Sequence, residues 1–376
     1  MLFYFLRSKK LQFFSWLERF TGSSNWKIKI TLLSIVLSLF FAFPSYQTYR
    51  AGKFDDKWDA VTTQISAPFQ QRDYSAQSHF SKLAFRLTVP VIANVLHLQR
   101  LGCFVIDYLF FILMFYLLLL LSFQITQDRI AATLITFGFA FMFVGNVLVS
   151  DVRALFDCAA FALMLLVMVN RNFFLIILFA LLAFFTDERA LITSSLIALW
   201  FMVRDSKEQL TLKFNSSFIA LVCSWIFYFI LRYLLGFYFG LKTESGWTMD
   251  FAKQLDCLFF GLWTGLEGFW IPVVVALILL CLKRNFILLS GIIASMLVVL
   301  AVAFAVIDIT RSIAYIFPVI FISLHIIQKT ESLHFVRNIA LLTFIVCLFP
   351  TYYTDGGGTL WFFYPLPMRI IGIFAH

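Results

Sequence analysis

Uninterrupted apolar runs constrain this chain more than anything else in it. CFVIDYLFFILMFYLLLLLSF at 103–123 holds one charge, and NFILLSGIIASMLVVLAVAFAV at 285–306 holds none. Helical segments of roughly 20 apolar residues match a hydrocarbon core about 30 Å thick. Backbone N–H and C=O groups inside lipid must be satisfied within the segment, so such runs imply helices. The whole composition agrees: 62% of residues are hydrophobic and 13% charged, against about 45–50% and about 25% in an ordinary soluble domain. That balance excludes disorder, a disulfide-stapled secreted domain and a coiled coil. Hydropathy places spans near 28–45, 103–123, 130–150, 155–170, 172–186, 190–203, 214–236, 258–281, 285–306, 312–327 and 338–350. The expectation is an all-α, polytopic helical membrane protein with about eleven crossings, forming one transmembrane domain over 1–376.

The charges then suggest an orientation. A net charge of +9 is also found in nucleic-acid-binding chains, but a Lys/Arg excess beside membrane helices is a topology signal. With the N-terminus cytoplasmic, the basic surplus falls on the inner face, at Lys27, Lys29, Arg171, Arg204, Lys283, Arg284 and Arg337 among others. The opposite face is close to neutral and holds most of the acids. A multi-pass location in the cell inner membrane follows as an expectation, with membrane lipids around it and no nucleic-acid partner. The segment 1–27, with Phe13, Phe14, Trp16 and Phe20 beside Lys9, Lys10 and Arg19, reads as an interfacial helix rather than a signal peptide. The extracytoplasmic loops are 46–83 and 237–257. No repeat and no second domain is visible, and nothing in the sequence fixes an oligomeric state.

Acids gather at the outer helix junctions: Asp151 and Arg153 in SDVRALFD, Asp187, Glu188 and Arg189 in FFTDERALI, and Asp308 and Arg311 in VIDITRSI. Asp107, Asp157, Asp256 and Glu267 lie at or slightly below the same depth. Ionisable groups near hydrocarbon are expensive unless paired or facing a wet cavity, so this ring is a site hypothesis by default. The first-loop acids Asp55, Asp56 and Asp73 are candidates for a general base that takes the proton of an acceptor hydroxyl. His79 sits in the same loop, and Lys82 and Arg86 follow it. Arg153, Arg189 and Arg311 have the planar fork that clamps a phosphate. The competing explanation is that Asp151 with Arg153, and Asp187 or Glu188 with Arg189, only neutralise each other at helix ends. Clustered acids also make a divalent cation a candidate cofactor.

Other features carry little. The six cysteines (Cys103, Cys158, Cys223, Cys257, Cys281, Cys347) lie in apolar segments without CxxC spacing and read as small buried hydrophobes. Gly356, Gly357 and Gly358 lack the GK[ST] of a P-loop. Trp247, Trp263, Trp270 and Trp361 fit an interfacial aromatic belt as well as a sugar-stacking role.

The stretch 150–200, with its acidic junction, the basic turn Asn170–Asn172 and the charged motif Asp187, Glu188, Arg189, resembles integral-membrane glycosyltransferases of the GT-C superfamily. Asp55 or Asp56 matches the position of an aspartate in that family's first large outer loop, and Tyr74, Arg86 and Pro90 look similar to a segment that follows it. The resemblance covers about residues 28–200. It implies a polyprenyl-phosphate-linked sugar donor, a glycan or lipid acceptor at the outer face, and an inverting transfer with a loop aspartate as base. The chain departs from the pattern by offering adjacent FDD rather than an acidic-x-acidic motif. A transporter or flippase for a lipid-linked oligosaccharide, and a polysaccharide polymerase, stand as the alternatives.

Overall fold

The computed structural model describes residues 2–71, 83–206, 210–243, 254, 256–349, 351–355, 358–361 and 363–374. Helices fill most of them. The apolar runs are cut by polar caps: Asp128 accepts from the Ala131 amide, Asn172 from Phe174 and Leu175, Asp187 from Arg189, and Asn215 from Phe218. Each such cap satisfies an amide that the first helical turn leaves open, worth about 1 kcal/mol. In chain order the helices are α1 (Leu2–Thr21), α2 (Trp26–Phe41), α3 (Tyr46–Arg50), α4 (Asp55–Ser66), α5 (Thr88–Val95), α6 (Arg100–Thr126), α7 (Arg129–Phe139), α8 (Leu148–Asp151), α9 (Asp157–Val169) and α10 (Phe173–Phe184). They continue with α11 (Glu188–Val203), α12 (Ser216–Phe239), α13 (Leu258–Leu266), α14 (Trp270–Leu282), α15 (Phe286–Ala303), α16 (Ile309–Ala314), α17 (Pro318–Thr330), α18 (Leu333–Cys347) and α19 (Leu366–Phe374). A hairpin of β1 (Tyr353–Asp355) and β2 (Gly358–Leu360) pairs Tyr353 with Leu360 and Thr354 with Thr359.

Eleven crossings are not what these residues form. Among the described residues, four helices are long and apolar enough to cross a membrane: α6, α12, the continuous stretch Leu258–Leu282 and α15. A fifth counts only if Lys9–Thr21 and Trp26–Phe41, bent by 115°, are one span. The reason is local. The chain turns over residues 140–147, and caps interrupt it at Asn172 and Asp187. What remains between the interruptions is short: α7, α9, α10 and α18 have 11, 13, 12 and 15 residues. At about 1.5 Å per residue, none reaches about 30 Å. This overturns the expected eleven-span architecture and with it the GT-C resemblance. The multi-pass cell-membrane location, and the inner and outer charge tally counted over eleven crossings, fall for the same reason.

Four helices form a ring that organises the site. α6 packs on α9, α9 on α11, α11 on α17, and α17 on α6. Residues 157–165 of α9 and 318–327 of α17 are all buried, as expected of helices that are apolar all round. All four run the same way: Asp157 and Asp187 open α9 and α11, Asp107 in the first third of α6 lies beside Asp157, Tyr315 just before α17 bonds to Asp157, and Ile125, Met168, Trp200 and His325 meet at the ends. α12 and α15 stand outside the ring and leave wide apolar faces uncovered, including Phe229, Tyr233, Phe237, Ile287 and Leu297.

Candidate functional site

The site is built at the starts of the ring helices. Between α8 and α9 the chain turns through Ala154 and Phe156, both left-handed (φ 61° and 59°). That conformation costs a non-glycine residue of order 1–3 kcal/mol and persists only when its surroundings impose it. Here they do. The indole of buried Trp58 on α4 donates to the Val152 carbonyl at 2.9 Å and packs edge-on against Phe156. Asp151 accepts from the Asp157 and Cys158 amides at 2.9 and 2.8 Å. Burial and the neighbouring Asp157 push the Asp151 carboxyl well up, against the pull of those two amides. The turn therefore fixes where Asp157 begins α9.

Asp157 and Asp187 anchor an ionic lattice. Asp157 receives Arg311 through Nε and through Nη2 at 2.9 Å, the Tyr315 hydroxyl at 2.9 Å, and Arg189 at 3.7 Å. Asp187 caps α11 and receives Arg189 at 2.9 and 2.7 Å, Arg86 at 3.1 Å and Arg311 at 3.5 Å. The Arg189 guanidinium also lies over the Tyr315 ring, 5.0 Å from its centre. Burial favours a neutral Asp187, but Arg189, Arg86 and Arg311 outweigh it and hold the carboxyl far below its ordinary range. Two carboxylates thus bind three guanidinium groups, leaving an excess of positive charge. Asp107 on α6 is buried behind them, with both carboxylate oxygens unpaired among the described residues.

Outward from the lattice the site opens. Asp308, just before α16, is partly exposed and lies 3.5 Å from Arg311 Nη1. Burial alone would raise its carboxyl, but Arg311, Arg189, the Tyr353 hydroxyl and Lys57 together hold it below the usual range. Lys57 on α4 faces Arg153, Asp308 and Arg311, and burial together with Arg153 draws its ammonium down. Arg153 lies over Phe54 at 5.3 Å and interacts with Tyr353, Asp308 and Asp355. The hairpin forms one wall, held where the Thr354 amide donates to Thr310 at 2.8 Å. Across lattice and mouth, five cations (Lys57, Arg86, Arg153, Arg189, Arg311) face four carboxylates (Asp157, Asp187, Asp308, Asp355).

The structure brings Arg86, Asp151, Arg153, Asp187, Arg189, Asp308 and Arg311 to this one place. Glu188 points elsewhere, pairing with Arg232 at 2.7 Å. Asp55 and Asp56 open α4 on its exposed side, and Asp55 pairs with Arg100 at 3.1 Å. Asp73, His79 and Lys82 lie outside the described residues. The candidate divalent cation finds no ready cage: among the described residues no three His, Cys, Asp or Glu side chains are placed to hold one. The lattice oxygens already accept from guanidinium groups. Sequence reasoning passed over Lys57, Tyr315 and Tyr353, and it placed Asp157 in the outer ring of acids without giving it a specific role. Asp157 carried a readable signal, an acid opening a helix that is otherwise wholly apolar. No protein-family model, curated protein or solved structure matches this chain.

Proposed function

We propose that the chain is a transferase that moves a sugar from a lipid-phosphate-linked donor to a hydroxyl acceptor, with the Asp308 mouth as its reaction site. One juxtaposition supports this reading: an ionised, accessible carboxylate beside Lys57 and Arg153, in front of a buried lattice that already carries excess positive charge. In the proposed step Asp308 takes the acceptor proton while the acceptor oxygen attacks the anomeric carbon. The bond from that carbon to the phosphate oxygen breaks, and the negative charge passes to the departing lipid phosphate. Lys57 and Arg153 hold that phosphate, and charge-assisted bonds of this type strengthen as the charge develops. The uncovered apolar faces of α12 and α15 suit the lipid chain of such a donor. The buried lattice serves as the fixed electrostatic backing that keeps Arg311 aimed at the mouth.

The test is transfer of a labelled sugar from a polyprenyl-phosphate donor by the full-length protein. Asp308→Asn should lower turnover by roughly 10²–10⁴-fold, the range for loss of a general base, with the thermal unfolding midpoint little changed. Full activity in Asp308→Asn would remove the proposed mechanism.

A further inference from the structure

The corner between α1 and α2 lies apart from both the lattice and the mouth. The two helices meet at 115°, so α1 runs across the direction of α2 rather than continuing it. α1 has three different sides. Phe14, Leu17 and Thr21 are buried where the helix packs on α7. Phe13, Trp16 and Phe20 form a second side, with rings stacked in a row at 6.1 and 5.4 Å between centres. Phe20 packs onto the cluster that holds Trp26 and Ile30 of α2, so this aromatic side opens into the corner, toward the length of α2. Gln12, Ser15, Glu18 and Arg19 make the third side, which is exposed and polar.

α2 extends the apolar surface. Ile28, Leu32, Val36 and Phe40 recur every four residues and therefore share one face, and they are 43–59% exposed. Trp16, 48% exposed, stands above them on α1. Basic residues collect at the same bend. Residues 1–29 hold Arg7, Lys9, Lys10, Arg19, Lys27 and Lys29 against a single acid, Glu18, and Glu18 pairs with Arg337 at 3.1 Å. The cations nearest the bend meet neutral groups: Arg19 bonds to the Ser15 carbonyl at 3.4 Å, Lys29 to the Ser23 hydroxyl at 3.1 Å, and Lys27 lies 5.5 Å over Phe123. Arg129, at the start of α7, bonds to the Thr21 carbonyl at 2.8 Å and lies over Trp26. Such partners orient these charges without neutralising them.

An occupant of this corner must bring apolar surface to α2 and negative charge to the bend. Water supplies neither, and a neutral bilayer supplies only the first. A second copy of this chain brings the same positive charge and is repelled. Anionic phospholipid supplies both at the depths the corner sets, with acyl chains along α2, stacked aromatic rings at the headgroup boundary and phosphates among the cations. We propose that the α1–α2 corner anchors anionic phospholipid, with α1 flat in the headgroup layer and α2 entering the hydrocarbon beside it. The corner shares no residue with the Asp308 mouth, so the two readings fail separately.

The probe is quenching of Trp16 fluorescence by lipids brominated on their acyl chains, which quench an indole only at contact. The full-length protein is held in neutral-detergent micelles, and the Trp16 signal is the difference between the parent and Trp16→Phe. Brominated phosphatidylglycerol should quench that signal at a several-fold lower mole fraction than brominated phosphatidylcholine, and high salt should narrow the gap. Arg19→Gln and Lys29→Gln alter exposed side chains and should fold normally. Each should raise the phosphatidylglycerol fraction at half-maximal quenching by up to roughly fivefold, the weight of one basic residue at an anionic surface, and leave the phosphatidylcholine titration unchanged. Equal quenching by the two lipids overturns the anionic assignment. A Trp16 signal that neither lipid quenches means that protein or water covers the corner, and overturns the anchor altogether. A phosphatidylglycerol preference that both charge variants leave intact overturns the role of the bend.

Discussion

The two ends of the ring use the same side chains in opposite ways. At the helix starts, guanidinium groups meet carboxylates: Arg311 and Arg189 close on Asp157 and Asp187 in a nearly dry interior. At the helix ends, Arg204 meets backbone carbonyls, the Ser217 hydroxyl at 2.6 Å and a half-exposed Asp205. Parallel helices account for the division. Their aligned dipoles leave partial positive charge at the starts, where Asp157 and Asp187 sit, and partial negative charge at the ends, where arginine and lysine gather. Four helices running one way thus divide the acceptors rather than the bases: arginines gather at both ends, but they meet buried carboxylates at the starts and backbone carbonyls at the ends. Antiparallel packing would have cancelled the effect.

The sharpest way to break this comparison is to remove one cation from each end. Arg311→Met strands Asp157 without its bidentate partner in a fully buried place, and loss of one member of a buried pair costs about 3–5 kcal/mol. The expected outcome is a large drop in the denaturation midpoint, or no folded protein at all. Arg204 is as buried as Arg311, but Arg204→Met strands no buried charge, only the Met168 and Asn170 carbonyls and the Ser217 hydroxyl, and should cost less, about 1–3 kcal/mol for polar groups left unsatisfied. Equal losses at the two ends, measured by chemical denaturation in one detergent, would mean that the buried charge left behind does not set the difference.

The sequence disclosed this sorting only in part. The clustering of Asp151, Arg153, Asp187, Arg189, Asp308 and Arg311 was legible, because charges are rare here and sit at junctions between apolar runs. The number of spans was not. Hydropathy cannot see the turns at 140–147, since most of those residues are as apolar as their neighbours; the local sign is Gly145, where a Cβ would fall 1.9 Å from the Phe139 carbonyl oxygen. Lys57 was hidden for a related reason. It lies among Asp55, Asp56 and Asp59 in a loop that reads as solvated, and only the Trp58 anchor on Val152 brings that face of α4 to the mouth.

A finer probe concerns how far the mouth depends on the lattice behind it. Asp308 is held below the usual carboxylate range against the upward push of burial, chiefly by Arg311 and Arg189, with smaller help from Tyr353 and Lys57. A carboxylate with a lowered pKa acts as a base above that pKa and loses the role as pH falls through it. The acid limb of transfer should therefore lie below about 4, the ordinary aspartate value. Lys57→Met removes one of the lesser positive charges facing Asp308, so the limb should move to higher pH by less than that full displacement, alongside a weaker hold on the donor. The check is the pH profile of turnover at saturating donor, which separates the limb from donor binding. If the limb stays put while donor affinity falls, Lys57 acts on the phosphate alone, and the low pKa of Asp308 is a property of the buried lattice rather than of the mouth.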